Sequence, residues 1–172
     1  MILIGISGKK RTGKNTVASL IGTLTSQTVE EFSFAQDLKL ELARMLSIKA
    51  TDIESQKDLY RPLLQALGVY RRKFNGENYW IEKCFRRILF SNADVCIVTD
   101  CRFKNEVEAV QDAGGSVVRV TRDTGLVDTH ESETELDGYE KFDHIIINTG
   151  SLEHLLDEVK DFSRKVGIKI KQ

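Results

Sequence analysis

Gly8-Lys9-Lys10-Arg11-Thr12-Gly13-Lys14-Asn15-Thr16 sets the reading of this 172-residue chain. A short apolar run, Ile2-Leu3-Ile4-Gly5-Ile6, precedes it, and Val17-Ala18-Ser19-Leu20-Ile21 follows. Strand, glycine-spaced loop and amphipathic helix, in that order, form the setting of a phosphate-binding loop. Gly8 and Gly13 let the backbone curl so that successive N–H groups face an anion. A helix opening near Lys14 adds its positive end, and Lys14 supplies a point charge for the β- and γ-phosphates. The motif's usual Ser or Thr after Gly-Lys is replaced by Asn15, with Thr16 next. Asn15 offers an amide oxygen to Mg²⁺, or the metal keeps a water at that place, since Mg²⁺ sheds water reluctantly. Thr16 is placed to bond an α-phosphate. Lys9, Lys10 and Arg11 read individually as solvated, with one or two facing the nucleotide. A Gly-Lys-rich surface turn arising by chance is the competing reading, and the flanking strand and helix speak against it.

Composition narrows the classes. The length suits one domain with a real core. The 41% hydrophobic and 30% charged fractions are those of a soluble globular protein, and the net charge of −1 calls for neither a nucleic-acid nor a membrane partner. No apolar run is long enough to span a bilayer, and the chain opens directly on a strand, so no signal peptide is expected. Cys84, Cys96 and Cys101, without a CxxC pair, read as reduced thiols in a cytosolic protein. There is no internal repeat, and the single Pro62 leaves no linker to divide domains.

Along the chain, strands are expected at 1–6, 28–34, 93–99, 116–121 and 145–147, and helices at 14–25 and from Ala35. In the latter, Leu38, Leu42, Met45 and Leu46 share a face. Residues 47–58 read as a loop or short helix. Helical spacing returns over Leu59–Phe74 and Glu77–Phe90, with Asn75-Gly76 as the break. Phe103, Val107 and Val110 mark another helix closed by Gly114-Gly115, and Leu152 to Val166 a last one tipped by Ser151. The most apolar strands are uninterrupted. That predicts a three-layer α/β/α fold around a mostly parallel five-stranded sheet. Ligands of such sheets sit outside the carboxyl ends of the strands. The loop, Asp100-Cys101-Arg102, the polar stretch at 122–142 and Asn148-Thr149-Gly150 should therefore share one rim.

Several residues there could carry chemistry. Asp100 ends a buried strand, as a carboxylate ordering metal water or an acceptor would, and capping the next helix is a compatible role. Arg102 could reach a phosphate or pair with Glu106 or Glu108. Arg119 lies inside a strand pattern and needs a partner, and Arg122 at the root of a polar flap is better placed to neutralise a transferring phosphoryl group. In the flap sequence Asp128-Thr129-His130-Glu131-Ser132-Glu133, His130 reads as solvated or locally hydrogen-bonded rather than as a base. Arg61, Arg71, Arg72, Lys73, Arg86 and Arg87, interleaved with Gln65, Asn78, Tyr79 and Trp80, make the middle basic. They suit a base and a phosphate, or simply the outer faces of amphipathic helices with Tyr79 and Trp80 in a core.

An ordered series of segments resembles the bacteriophage deoxynucleoside monophosphate kinases, within the P-loop nucleoside monophosphate kinase group. The series runs from Ser7 through Thr16, then Phe34-Ala35 with Leu38-Lys39, Leu64-Gln65-Ala66-Leu67-Gly68 and Asn78-Tyr79-Trp80. It continues through Thr99 to Glu106, Gly114-Gly115, Val118 to Arg122, His130 to Glu133, and Asp143 to Asn148. The resemblance implies a single P-loop kinase domain over 1–172, with an acceptor-binding helical region at about 33–92 and a lid at about 122–140. It implies Mg²⁺- and ATP-dependent transfer of the γ-phosphoryl to a deoxynucleoside monophosphate. Catalytic roles fall to Lys14, Asp100 and Arg122. ATP contacts fall to Gly8, Lys10, Arg11, Thr12, Gly13, Lys14, Asn15, Thr16, Arg119, Asn148 and Gly150, the last two in a loop like that bordering the donor adenine in related kinases. The acceptor falls to Asp37, Lys39, Arg61, Gln65, Arg71, Trp80 and Arg102, and Mg²⁺ to Asn15 and Asp100 through water. It further implies small-molecule substrates without stable nucleic-acid or membrane partners, a homodimer through the middle helices, and, for a phage protein, the host cytoplasm. Cys101, Lys104 and Asn15 depart from the residues common in that family. Rival readings are a kinase resembling those of dephospho-coenzyme A or phosphomevalonate, a nucleotide-binding switch, and a nucleic-acid binder using the stripe at 61–87.

Overall fold

The structure, a computed structural model, describes residues 1–125 and 130–171. It forms two compact units, one of residues 1–32 with 91–172 and one of residues 33–90.

The first unit is built on a five-stranded sheet of β1 (Ile2–Ser7), β2 (Val29–Phe32), β3 (Val95–Cys101), β4 (Ser116–Thr121) and β5 (His144–Ile147), in the order β2-β3-β1-β4-β5. All four pairings are parallel. β1 is thus flanked on both sides, and its run of small and aliphatic residues is buried from Leu3 to Ser7. Alternation divides it between two faces. Ile4 and Ile6 join Val17, Ala18 and Ile21 of α1 (Lys14–Leu24) and Leu155, Val159 and Phe162 of the C-terminal helix Leu152–Lys165 in one continuous core. A helix at Lys104–Asp112 packs on β1 and β4, with Val107 and Val110 fully buried. Helices therefore cover both faces, giving the three-layer arrangement expected.

The second unit is helical: α2 (Phe34–Leu46), α3 (Ala50–Ser55), α4 (Lys57–Asn75) and α5 (Tyr79–Leu89). Carrying the numbering on, Lys104–Asp112 is α6, the short Glu131–Thr134 is α7 and Leu152–Lys165 is α8. The boundaries expected from sequence hold to within two residues at most ends. The second strand is shorter than 28–34, and the third runs two residues past Thr99. Met45 and Leu46, expected on the inner face of α2, are exposed. The buried stripe passes through Phe34, Leu42 and Ala43, because an alanine packs inward where a count of large side chains looks past it. In the stretch read as polar, α7 forms, while residues 126–129 of the expected lid, with Asp128 and Thr129, lie outside the described residues. Ser151 accepts the His154 N–H at 3.2 Å and caps α8 as expected. Cys84, Cys96 and Cys101 are buried, and none of the three is in a disulfide. No helix among the described residues is long and apolar enough to cross a membrane.

α6 opens on a buried carboxyl. Glu106 is 6% exposed, and its Oε2 accepts the amides of Arg102 at 2.7 Å and Phe103 at 3.1 Å. Burial first, then the neighbouring Asp100 charge, push its pKa from 4.5 to about 8, against the pull of those two N–H bonds. The folded chain then holds a proton that the unfolded chain releases above about 4.5. The associated stability is complete below pH 4.5 and is lost as pH rises to about 8. In urea titrations without nucleotide or metal, the wild-type midpoint should fall across that window. Glu106→Gln, which stays neutral and keeps an acceptor oxygen, should flatten the fall. An identical pH slope in the variant would contradict this assignment.

Candidate active site

The loop between β1 and α1 forms because the sequence leaves it little else to do. β1 ends in the interior at Ser7, and Gly8 turns the chain at φ 153° where an added Cβ would stand 2.5 Å from the Val120 carbonyl. Gly13 closes the loop in the left-handed region, φ 102° and ψ 15°, and its carbonyl accepts the Val17 N–H at 3.0 Å to start α1. Arg11 is also left-handed, at φ 66°. α1 has no capping side chain and no acid in its first turn, so the positive end of its backbone dipole is left uncompensated. Lys14 folds back over the loop, donating to the carbonyls of Gly8 at 2.6 Å and Lys9 at 2.8 Å. Thr12, 2% exposed, donates its hydroxyl to the Lys9 carbonyl at 2.9 Å. Asn15 and Thr16 are exposed on the first turn, as are Lys10 and Arg11 on the loop.

Parallel register brings the other expected segments of this unit to the same edge. Ser7 lies opposite Cys101 of β3 and Arg119 of β4, which puts Asp100 beside the start of the loop. Arg119 finds the partners its half-buried position requires. Nη1 donates to Ser7 Oγ at 2.9 Å, its guanidinium carbon lies 5.4 Å from the centre of the Phe142 ring, and Nη2 is 4.0 Å from Asp137. Burial lowers its pKa, and Asp137 opposes that shift. The same Asp137 pairs with Lys9 at 2.8 Å. Arg122 is exposed just past the end of β4. Asn148, 8% exposed just past β5, donates Nδ2 to the Thr12 carbonyl at 2.8 Å, and Gly150 is exposed beyond it. Among the described residues, the rim drawn from sequence is therefore present.

Three acids at alternate positions were not singled out from sequence. Glu133 pairs with Arg102, Glu135 stands 3.9 Å from Lys104, and Asp137 joins Lys9 to Arg119. Their spacing of two in Glu133-Thr134-Glu135-Leu136-Asp137 is the available signal, matched to cations on neighbouring turns. Arg102 thus directs its guanidinium to Glu133, and only its backbone N–H to Glu106. His130 is locally bonded, as expected: Nδ1 accepts the Ser132 N–H at 3.2 Å and caps α7.

In the helical unit, the acceptor candidates are held in ion pairs. Asp37 pairs with Arg87 at 3.1 Å, and Arg87 also donates to Gln36 and to the Ser33 carbonyl. Lys39 pairs with Glu54, and Arg61 with Asp58 at 3.1 Å. Arg71 donates to Glu41 at 2.5 Å, and Glu41 also accepts the Tyr79 hydroxyl at 3.0 Å. Gln65 is half-buried. Trp80 departs from the expectation of an open stacking surface. It is 5% exposed and donates Nε1 to the Gly68 carbonyl at 3.3 Å, so it belongs to this unit's core, the other reading its spacing allowed.

Among the described residues, no group of three or more His, Cys, Asp or Glu side chains could cage a metal alone. At this edge Asp100 has a carboxylate and Asn15 an amide oxygen, hard donors of the kind a hydrated Mg²⁺ takes.

A family model described as deoxynucleotide monophosphate kinase matches residues 2–83 and 48–159. A protein of Acanthamoeba polyphaga mimivirus, provisionally described as a deoxynucleotide monophosphate kinase, is 26% identical over 189 residues, covering 92% of this chain and 94% of its own. It is viral, though not from a bacteriophage. Solved structures with some similarity include the shikimate kinase of Aquifex aeolicus, 14% identical with a TM-score of 0.49 over 96% of this chain and 99% of its own. The tunicamycin resistance protein of Deinococcus radiodurans is 15% identical, with a TM-score of 0.47 over 99% of this chain and 98% of its own. With a phosphate-shaped loop at the edge of a parallel sheet and a family model spanning most of its length, the chain belongs to the deoxynucleotide monophosphate kinase family and is a phosphotransferase of the nucleotide kinase kind.

Proposed function

We propose that this protein transfers the γ-phosphoryl group of ATP to a deoxynucleoside monophosphate, giving the diphosphate and ADP. The observation that supports this most is the Lys14 ammonium held by the Gly8 and Lys9 carbonyls above an uncapped helix N-terminus. A polyphosphate would replace those carbonyls with its own charged oxygens, so that the ammonium meets an anion in place of a neutral acceptor. The loop from Gly8 to Thr16 binds the donor phosphates, and Arg119 lies beside them. Asp100 and Asn15 would hold Mg²⁺ through water, and the ion would supply neutralising charge to the phosphates.

An oxygen of the acceptor phosphate attacks the γ-phosphorus, the bond from that phosphorus to the β–γ bridging oxygen breaks, and the electron pair leaves with ADP. The acceptor is already an anion, so no general base is required, and positioning with charge stabilisation carries the rate. Arg122 sits at the root of the lid assigned to 122–140, where closure would carry its guanidinium to the charge developing on the transferring group. Asp100 would order the acceptor, or a water of the ion it would help to hold. The acceptor lies with the helical unit, where Asp37, Lys39, Arg61, Gln65 and Arg71 would exchange present ion-pair partners for phosphate, sugar and base. Trp80 supports that surface from within.

Coupled ADP release with Mg-ATP should require one of dTMP, dGMP, dCMP or dAMP. ATP loss indifferent to every acceptor would contradict the reading, and ribose counterparts in the same panel define the sugar preference. Arg122→Ala should lower kcat by about 10²-fold or more with a smaller change in either KM, as for other groups that bind charge arising in the transition state. An unchanged kcat would remove Arg122 from the chemistry. Arg102→Ala should raise the acceptor KM by about tenfold or more, the loss of a charged hydrogen bond, and leave the ATP KM in place. The opposite pattern would move Arg102 to the donor side.

A further inference from the structure

Asn148 is reached by neither strand pairing nor solvent alone. Its backbone N–H donates to the Thr121 carbonyl at 2.8 Å, fixing it to the end of β4. Its side chain, buried at 8% exposure, crosses to the phosphate loop and donates Nδ2 to the Thr12 carbonyl at 2.8 Å. The contact is tight on the loop side as well. A Cβ built on Gly13 would fall 2.4 Å from that same nitrogen. The left-handed turn at Gly13 is thus needed twice over, for its φ of 102° and for the room it leaves to the amide.

From this juxtaposition we infer that Asn148 is a positioning residue for the phosphate loop, a strut holding the Thr12-Gly13 peptide in its phosphate-binding shape, and not a reader of the donor base. The inference rests on the proposed binding of a nucleoside triphosphate at this loop. The loop has few other restraints at that point. Gly13 has no side chain, and the Thr12 hydroxyl is spent on the Lys9 carbonyl on the other side of the turn. The Gly13 carbonyl is committed to α1 through the Val17 N–H. Holding the Thr12 carbonyl outward keeps the Gly13 N–H, on the other side of the same peptide plane, turned the opposite way. Inward-facing N–H groups are what such a loop offers an anion. Losing the strut leaves a buried carbonyl unpaired and lets that peptide rotate, so the cost falls on phosphate affinity. A residue reading the base would instead change affinity for the nucleoside.

Two probes separate these roles: inorganic tripolyphosphate, which carries only the phosphate chain, and adenosine, which carries only the base and sugar. Binding of each is measured on the wild type, Asn148→Asp and Asn148→Ala, with thermal melting of each protein first. Asp keeps the size of Asn without the donated hydrogens but adds a negative charge that itself repels phosphate, so Ala, which removes the group, is the deciding variant for tripolyphosphate. The strut role expects both variants to lose about tenfold or more in tripolyphosphate affinity and in KM for ATP. Adenosine affinity and the acceptor KM should stay as in the wild type. Loss of adenosine binding with tripolyphosphate retained would overturn the inference, as would variants that bind both probes normally. A wild type that does not bind tripolyphosphate would instead reject the nucleotide reading on which the inference rests. If neither variant folds, the Asn148 side-chain amide signals in ¹⁵N spectra of the wild type decide. The strut role requires one slowly exchanging Nδ2 hydrogen that responds to tripolyphosphate and not to adenosine, and the reverse response contradicts it.

Discussion

The placement of β1 between β3 and β4, buried from Leu3 to Ser7, is the constraint on which the rest of the site depends. A strand paired on both sides and covered on both faces cannot shift its end without disturbing the core around Ile4 and Ile6. Its carboxyl end is therefore a fixed point. The loop, forced to turn at once against the Val120 carbonyl, inherits that rigidity. Register does the rest, since Arg119 and Cys101 are opposite Ser7 by pairing alone. A phosphate site of backbone N–H groups needs this kind of support, because its donors have no side-chain freedom with which to correct a misplaced peptide.

Charge at this edge is balanced within the chain. Lys14 uses carbonyls, whereas Lys9, Arg102, Lys104 and Arg119 use the alternating acids of residues 133–137. Most of these pairs are partly exposed, so each contributes little to stability by itself. Their combined effect is electrostatic and local: cations that would repel one another around the loop are held near it with compensating carboxylates. A polyanionic substrate can compete for such cations at modest cost, because exposed pairs are easily exchanged. Glu106 follows a different logic. Burial and the neighbouring Asp100 charge favour its neutral form against the pull of two amide N–H bonds, and the turn from Asp100 to Phe103 keeps its shape without adding a second negative charge.

Much of this was legible from residues alone because each signal had a local physical cause. The glycine spacing of the loop, the uninterrupted Val95 to Val98 run and the Ser151 cap all act within a few residues of themselves. The rim followed from topology once the strands were taken as parallel. What escaped depends on partners far apart in sequence. Asn148 reached Thr12, Asp137 reached Lys9, and Glu133 reached Arg102 across separations that no periodicity encodes. Trp80 was ambiguous for a related reason: an aromatic residue among arginines has the same pattern whether its ring faces a base or a core, and only the Gly68 carbonyl under its N–H decides the matter. The buried face of α2 was misjudged at its end because Ala43, small and apolar, takes the place that size alone would give to Met45 or Leu46.

The central claim is that the β1–α1 loop is a polyphosphate site whose main charge is Lys14. Calorimetric titration of Mg-ATP into the wild type and Lys14→Met tests it most directly, since Met keeps the length and apolar stem of Lys while removing the ammonium. The account predicts saturable binding to the wild type and affinity weakened by about tenfold to a hundredfold in the variant, the range for a lost hydrogen bond to a charged group. Equal affinity in the two proteins, with the variant folded, would contradict it.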